Sequence, residues 1–109
     1  MIVDKAIVSV VNDAFQAAAK ATADYLAANG DRDACGFAWV VIKPANSKLA
    51  KYIKQINKGR PAYGGGIQVW NPSGNYTQAI TAKEEGAQAF AKVLRDAGYT
   101  GISADSRMD

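Results

Sequence analysis

Between Asp33 and Glu84 the chain carries no acidic residue, and Lys43, Lys48, Lys51, Lys54, Lys58, Arg60 and Lys83 all fall in that interval. The interval holds a charge of +7, whereas residues 1–33 and residues 84–109 each sum to −2, which leaves the chain at +3. Cations concentrated in this way draw in phosphates and carboxylates by charge alone, whatever the sequence of the partner. Tyr63, the Gly64-Gly65-Gly66 turn and Trp70-Asn71 lie beside them, so stacking surfaces and backbone amides accompany the charge. Arg107 adds a guanidinium fork suited to a phosphate or a carboxylate. The candidate ligand-binding set is therefore Lys48, Lys51, Lys54, Lys58, Arg60, Tyr63, Gly65, Trp70, Asn71 and Arg107.

Each of these residues also has a plain structural reading. Lysines opposite the apolar stripe of a helix are ordinarily solvated surface. A glycine turn serves tight turning, and Trp70 at a strand end can complete a core. Arg107 has Asp105 and Asp109 as local ion-pair partners, in pairs worth under about 1 kcal/mol when exposed. Lysine in place of arginine argues against specific reading of base edges.

The chain has no histidine and one cysteine, Cys35. Imidazole proton shuttles, Ser-His-Asp and Cys-His catalysis, and zinc sites built on histidine or clustered thiolates are thereby excluded within one chain. Among metals, only a weak carboxylate site for magnesium or calcium stays open; no metal ligands and no cofactor are assigned. An enzyme would have to use Cys35 or the pair Asp31 and Asp33, and Cys35 has only Arg32 nearby in sequence to activate it, so it is expected to be a buried, inert thiol. Tyr63-Gly-Gly-Gly66 is not a Rossmann or Walker loop, because a strand rather than a helix follows it. The expectation is a protein that is not an enzyme.

These residues must be positioned by a regular frame. Ile7, Val10, Val11, Ala14, Ala18, Ala21 and Tyr25 share one side of a helix running from Val3 to an Asn29-Gly30 C-cap, and its alanine-rich stripe permits close packing. Gly36 to Ile42 is apolar at both parities, the mark of a central strand covered on both faces. Ser47 opens a second helix with Leu49, Tyr52, Ile53 and Ile56 inward. Ile67–Trp70 and Tyr76–Ile80 flank the turn formers of residues 71–75 and are expected to make a hairpin. Thr81 to Glu84 has the pattern of a capping box, and the helix behind it stops at Gly98. Residues 99–107 supply a last, more polar strand at an edge.

The predicted fold class is thus α+β, one domain over 1–109: an N-terminal helix over 1–29, then a ferredoxin-like β-α-β-β-α-β sandwich over 36–107. In such a unit the two helices cover one face of the sheet, yet Phe37, Trp39 and Val41 on one parity and Ala38, Val40 and Ile42 on the other both need cover. Either the N-terminal helix or a second copy, in a homodimer or higher oligomer, is expected to supply it. Ala34 to Ile42 is too short to span a bilayer and Asp4 stands where a secretory signal wants cations, so a cytoplasmic protein with no membrane partner is expected.

The stretches DRDACGFAWV, GGIQVWNPSG and KEEGAQAFAKVL and the closing SRMD resemble small uncharacterised accessory proteins of tailed bacteriophages, over most of residues 31–109. That resemblance implies a host-cell cytoplasmic setting and a role in binding host proteins, nucleic acid or nucleotide signals. It carries no catalytic residues. The sequence-based expectation is a small phage-type accessory protein binding nucleic acid or a nucleotide-like ligand. The alternatives are an inhibitor of a host or anti-phage defence protein, and a small enzyme using Cys35 or Asp31 and Asp33.

Overall fold

The computed structural model describes residues 4–31 and 34–109. In chain order the elements are α1 (Lys5–Asn29), β1 (Gly36–Ile42), α2 (Lys48–Gln55), β2 (Arg60–Pro61), β3 (Ile67–Trp70), α3 (Ile80–Asp96) and β4 (Ile102–Met108). The architecture is α+β: an N-terminal helix, and a four-stranded antiparallel sheet of order β2-β3-β1-β4 packed with the helices. The most apolar strand, β1, is central, and β4, with exposed Ser103, Asp105 and Arg107, is an edge, as their compositions predict.

Helix α1 starts at Asp4, whose carboxylate accepts hydrogen bonds from the N–H groups of Ala6 and Ile7 at 3.0 and 3.2 Å. Two donors without intrahelical partners are thereby satisfied. It ends at Gly30, whose N–H donates to the Leu26 carbonyl. The predicted start at Val3 lies outside the described residues. Ile7, Val11, Ala14, Ala18 and Thr22 form the buried face, and it packs chiefly on α3. A Cβ on Gly86 would stand 2.5 Å from Thr22 Oγ1 and 3.2 Å from the Ala18 carbonyl, so the two helices meet where a side chain is missing. There Thr22 Oγ1 donates to the Ala82 carbonyl at 2.7 Å, and Phe15 meets Phe90 edge to face.

On α2, Ser47 caps the first turn and accepts from the Ala50 N–H, while Leu49, Ala50 and Ile53 are buried. The core collects these with α1 and α3 and with one parity of the sheet: Ala38, Val40 and Ile42, Ile67 and Val69, and Ile102. All three helices therefore lie on the same side of the sheet.

Three expectations are corrected. The hairpin does not join residues 67–70 to 76–80. It joins β2 to β3 through residues 62–66, where Gly64, Gly65 and Gly66 all have positive φ and the Ala62 N–H donates to the Gly66 carbonyl. In the segment that follows β3, side chains replace the ladder. Asn71 Nδ2 donates to the Asn75 carbonyl, Ser73 Oγ accepts from the Asn75 N–H, and Asn75 Oδ1 accepts from the Thr77 N–H. Only Ala79 there makes a bridge, with Cys35.

The capping box is likewise not formed. The N-cap of α3 is Ala79 with no side-chain cap, and Glu84 instead accepts from Ser106 Oγ on β4. Finally, β1 is not covered on both faces. Its burial alternates, with Phe37, Trp39 and Val41 only half-buried, and α1 joins the other helices rather than covering them.

Candidate functional site

The open face of the sheet carries a continuous aromatic row. Trp39 pairs in register with Trp70 across β1 and β3, and their rings stack at 5.3 Å and 10°. Phe37, two residues earlier on β1, lies 5.4 Å from the Trp70 ring. Strand alternation puts these residues on one side, because their chain neighbours Ala38, Val40 and Val69 point into the core. Trp70 is 47% exposed, which excludes the reading that it completes the core.

Cations bracket the row. Arg60 pairs with Gln68 in register and with it faces the open side, while Asn57, Lys58, Arg60, Gln68 and Trp70 line a cavity of about 170 Å³. A second, of about 340 Å³, places Phe15, Lys58 and Trp70 beside the 71–74 loop. At the other end the Arg107 guanidinium sits 5.7 Å from the Phe37 ring centre and the Lys83 ammonium 5.3 Å from it. Lys83 also donates to the Gly36 carbonyl at 2.9 Å, so its position is fixed by the backbone. Both distances lie within the range of a cation–π contact.

Among the described residues the ion pairs are Lys20–Asp24 and Lys92–Asp96, each an i,i+4 pair on an exposed helix surface. Lys20 titrates above the ordinary lysine range because it is hydrogen-bonded to Asp24 and attracted by its charge. No described carboxylate forms an ion pair with the cations of the central segment. Glu84 and Glu85 of α3 line a cavity of about 350 Å³ with Asp105 of β4, and Asp105 also pairs in register with Trp39, so this one carboxylate borders the aromatic row.

The structure therefore brings Lys58, Arg60 and Trp70 together, with Arg107 at the far end of the same face. Lys48, Lys51 and Lys54 are exposed on α2, whose buried side enters the core from the helical side of the sheet, so they lie apart from the aromatic row. Tyr63 is fully exposed in the β2–β3 loop. The Gly65 N–H donates to the Ala62 carbonyl, and the Asn71 side chain is engaged with Ser73 and Asn75, so these two residues hold their loops together.

Cys35, expected to be buried, is exposed: it bridges to Ala79 just before β1, on the parity of Phe37 and Trp39 rather than that of the buried Gly36, Ala38 and Val40. Asp31 accepts from Thr77 Oγ1, and Asp33 and Arg32 lie outside the described residues. No cluster of three metal-ligating side chains occurs among the described residues. No described helix is long and apolar enough to cross a membrane.

Sequence reasoning did not select Phe37, Trp39 and Lys83 as site residues. The signal for the first two is their i,i+2 spacing, which fixes both on the parity opposite the core residues Ala38 and Val40. Lys83 had no such signal, since its reach to Gly36 depends on how α3 crosses β1. No protein-family model matches the chain, and neither the curated proteins nor the solved structures give a match.

Proposed function

We propose that this protein is a non-enzymatic accessory protein of phage type that binds an anionic partner, nucleic acid or a nucleotide-like ligand, on the open face of its sheet. The observation that carries the reading is the aromatic row Phe37, Trp70 and Trp39 with Lys58 and Arg60 at one end and Lys83 and Arg107 at the other. Rings supply stacking surface, and cations that form no ion pair with a described carboxylate supply attraction to phosphate. In this reading the α2 lysines add to the long-range field and Tyr63 borders the site. The β1-α2-β2-β3-α3-β4 part is read as a ferredoxin-like unit, a reading supported by its two central strands, β1 and β3. A cytoplasmic setting, in the host cell, belongs to the same proposal.

The test is binding of a fluorescently labelled oligonucleotide as a function of salt. Four phosphate contacts to a single strand give a log–log slope of about −3. Salt-independent binding, or no binding of oligonucleotide or nucleotide, overturns the reading. The alternative, an inhibitor of a host or defence protein, is favoured by the exposure of Tyr63, Tyr76 and Met108, since exposed aromatics and methionine are common interface residues. Stoichiometric capture of one host protein, in the absence of oligonucleotide binding, would establish it instead.

A further inference from the structure

We infer that the anionic partner is single-stranded nucleic acid, held with a base stacked on Trp70. The inference rests on the anion-binding reading above and narrows it. Phe37 and Trp39 are alternate residues of β1, so their attachment points stand about 6.6 Å apart, twice the base step of about 3.4 Å along a stacked strand. Bases that meet such a row must be splayed from one another. A single strand permits this, whereas a duplex keeps its bases paired and stacked.

Duplex reading also calls for a helix or ribbon that enters a groove, and every helix here is on the opposite side of the sheet. Two cavities lie against Trp70: the one beside the 71–74 loop, of about 340 Å³, reaches Phe15 of α1, whereas the one walled by Arg60 and Gln68 lies on the open face. The latter has room for a ring rather than a whole ligand, since its volume of about 170 Å³ is well below the roughly 300–1,000 Å³ of sites that enclose a small molecule. Gln68 in its wall offers amide donors and an acceptor to a base edge, while Lys58 and Arg60 face the adjoining phosphates.

Charge argues against a second copy as the occupant. A two-fold interface on this face would set its cations against the same set, with Asp105 the described carboxylate on the open parity of β4. A polyanion threaded along the row meets them with the complementary charge.

The experiment compares a labelled thymidine oligonucleotide, an abasic strand of the same length and a duplex, by fluorescence anisotropy with the full chain. The wild type is expected to bind the thymidine strand about 10-fold or more tightly than the abasic strand, and Trp70→Ala to lower its affinity about 10-fold while Trp70→Phe retains most of it. Because Trp70 is 47% exposed, the alanine variant keeps the fold, which circular dichroism verifies. Equal affinity for thymidine and abasic strands, or a preference for duplex, overturns the inference and leaves the anion-binding reading standing. Failure to bind any of the three overturns the inference, and failure to bind a mononucleotide as well overturns both. A native mass that shows a dimer lost in Trp70→Ala assigns the face to a second copy and overturns the inference.

Discussion

Asp105 pairs in register with Trp39 and lies on the exposed side of β4, so its carboxylate repels any phosphate drawn to the aromatic row. Its Oδ1 accepts from the Ser106 N–H, a bond that an asparagine carbonyl retains. Asp105→Asn is therefore expected to tighten oligonucleotide binding about 2- to 5-fold at low salt, the size of one partly screened charge contact, and the gain should vanish as salt rises. Stability is governed at other residues. Thr22→Val removes the buried hydrogen bond to the Ala82 carbonyl and should cost about 1 kcal/mol in urea denaturation. Gly86→Ala gains helix propensity, yet its Cβ would collide with Thr22 Oγ1 and press on the Ala18 carbonyl. Because backbone cannot yield as a flexible side chain does, the net effect should be a loss of about 1–3 kcal/mol.

At the scale of elements, the charged segment divides between two sides of the sheet, and salt dependence can tell them apart. Lys58→Gln with Arg60→Gln removes two cations beside Trp70 and should make the slope shallower by about 1.4, at roughly 0.7 per phosphate contact with a single strand. Replacing Lys48, Lys51 and Lys54 together should leave the slope nearly unchanged and slow association at low salt, because charges outside the contact act by steering. That division was not legible in the sequence, which gave the absence of acids but not which side of the sheet each cation would take. Helix ends were legible because their signals are local, as at Ser47 and Gly30. The hairpin departs from its sequence-based expectation for a physical reason. Residues 76–80 have strand-like composition, but the turn formers before them satisfy their own backbone with Asn71, Ser73 and Asn75, while Gly64 to Gly66 permit the reversal between β2 and β3. The aromatic face was half legible: parity separated Trp70 and Gln68 from Ile67 and Val69, but which face the first helix would cover depended on long-range packing.

For the whole molecule, the destination of α1 decides whether an open face can exist at all. Had α1 packed across Phe37, Trp39 and Trp70, no aromatic surface would remain. It packs instead on α3, where its alanines and Thr22 approach Gly86 closely, and contributes Ile7, Val11, Ala14 and Ala18 to the core that backs the sheet. The first helix is thus part of the structural frame rather than an appendage to the β-α-β-β-α-β unit. Its removal would uncover Ala87, Phe90, Ala91 and the surrounding face of α3. Loss of burial at about 1.5–3 kcal/mol for each large apolar side chain, over Ile7, Val11 and Phe15 with the α3 side chains they cover, approaches the entire 5–15 kcal/mol stability of an ordinary domain. A chain shortened to residues 34–109 should therefore keep helical signal in the far ultraviolet, lose its near-ultraviolet tryptophan signal and bind a hydrophobic dye, the behaviour of a collapsed state without fixed packing. Cooperative unfolding of that shortened chain at near full-length stability would refute the integral role of α1. Oligonucleotide binding should fail with the fixed packing, since the spacing of Phe37, Trp39 and Trp70 depends on a sheet held against its helices from behind.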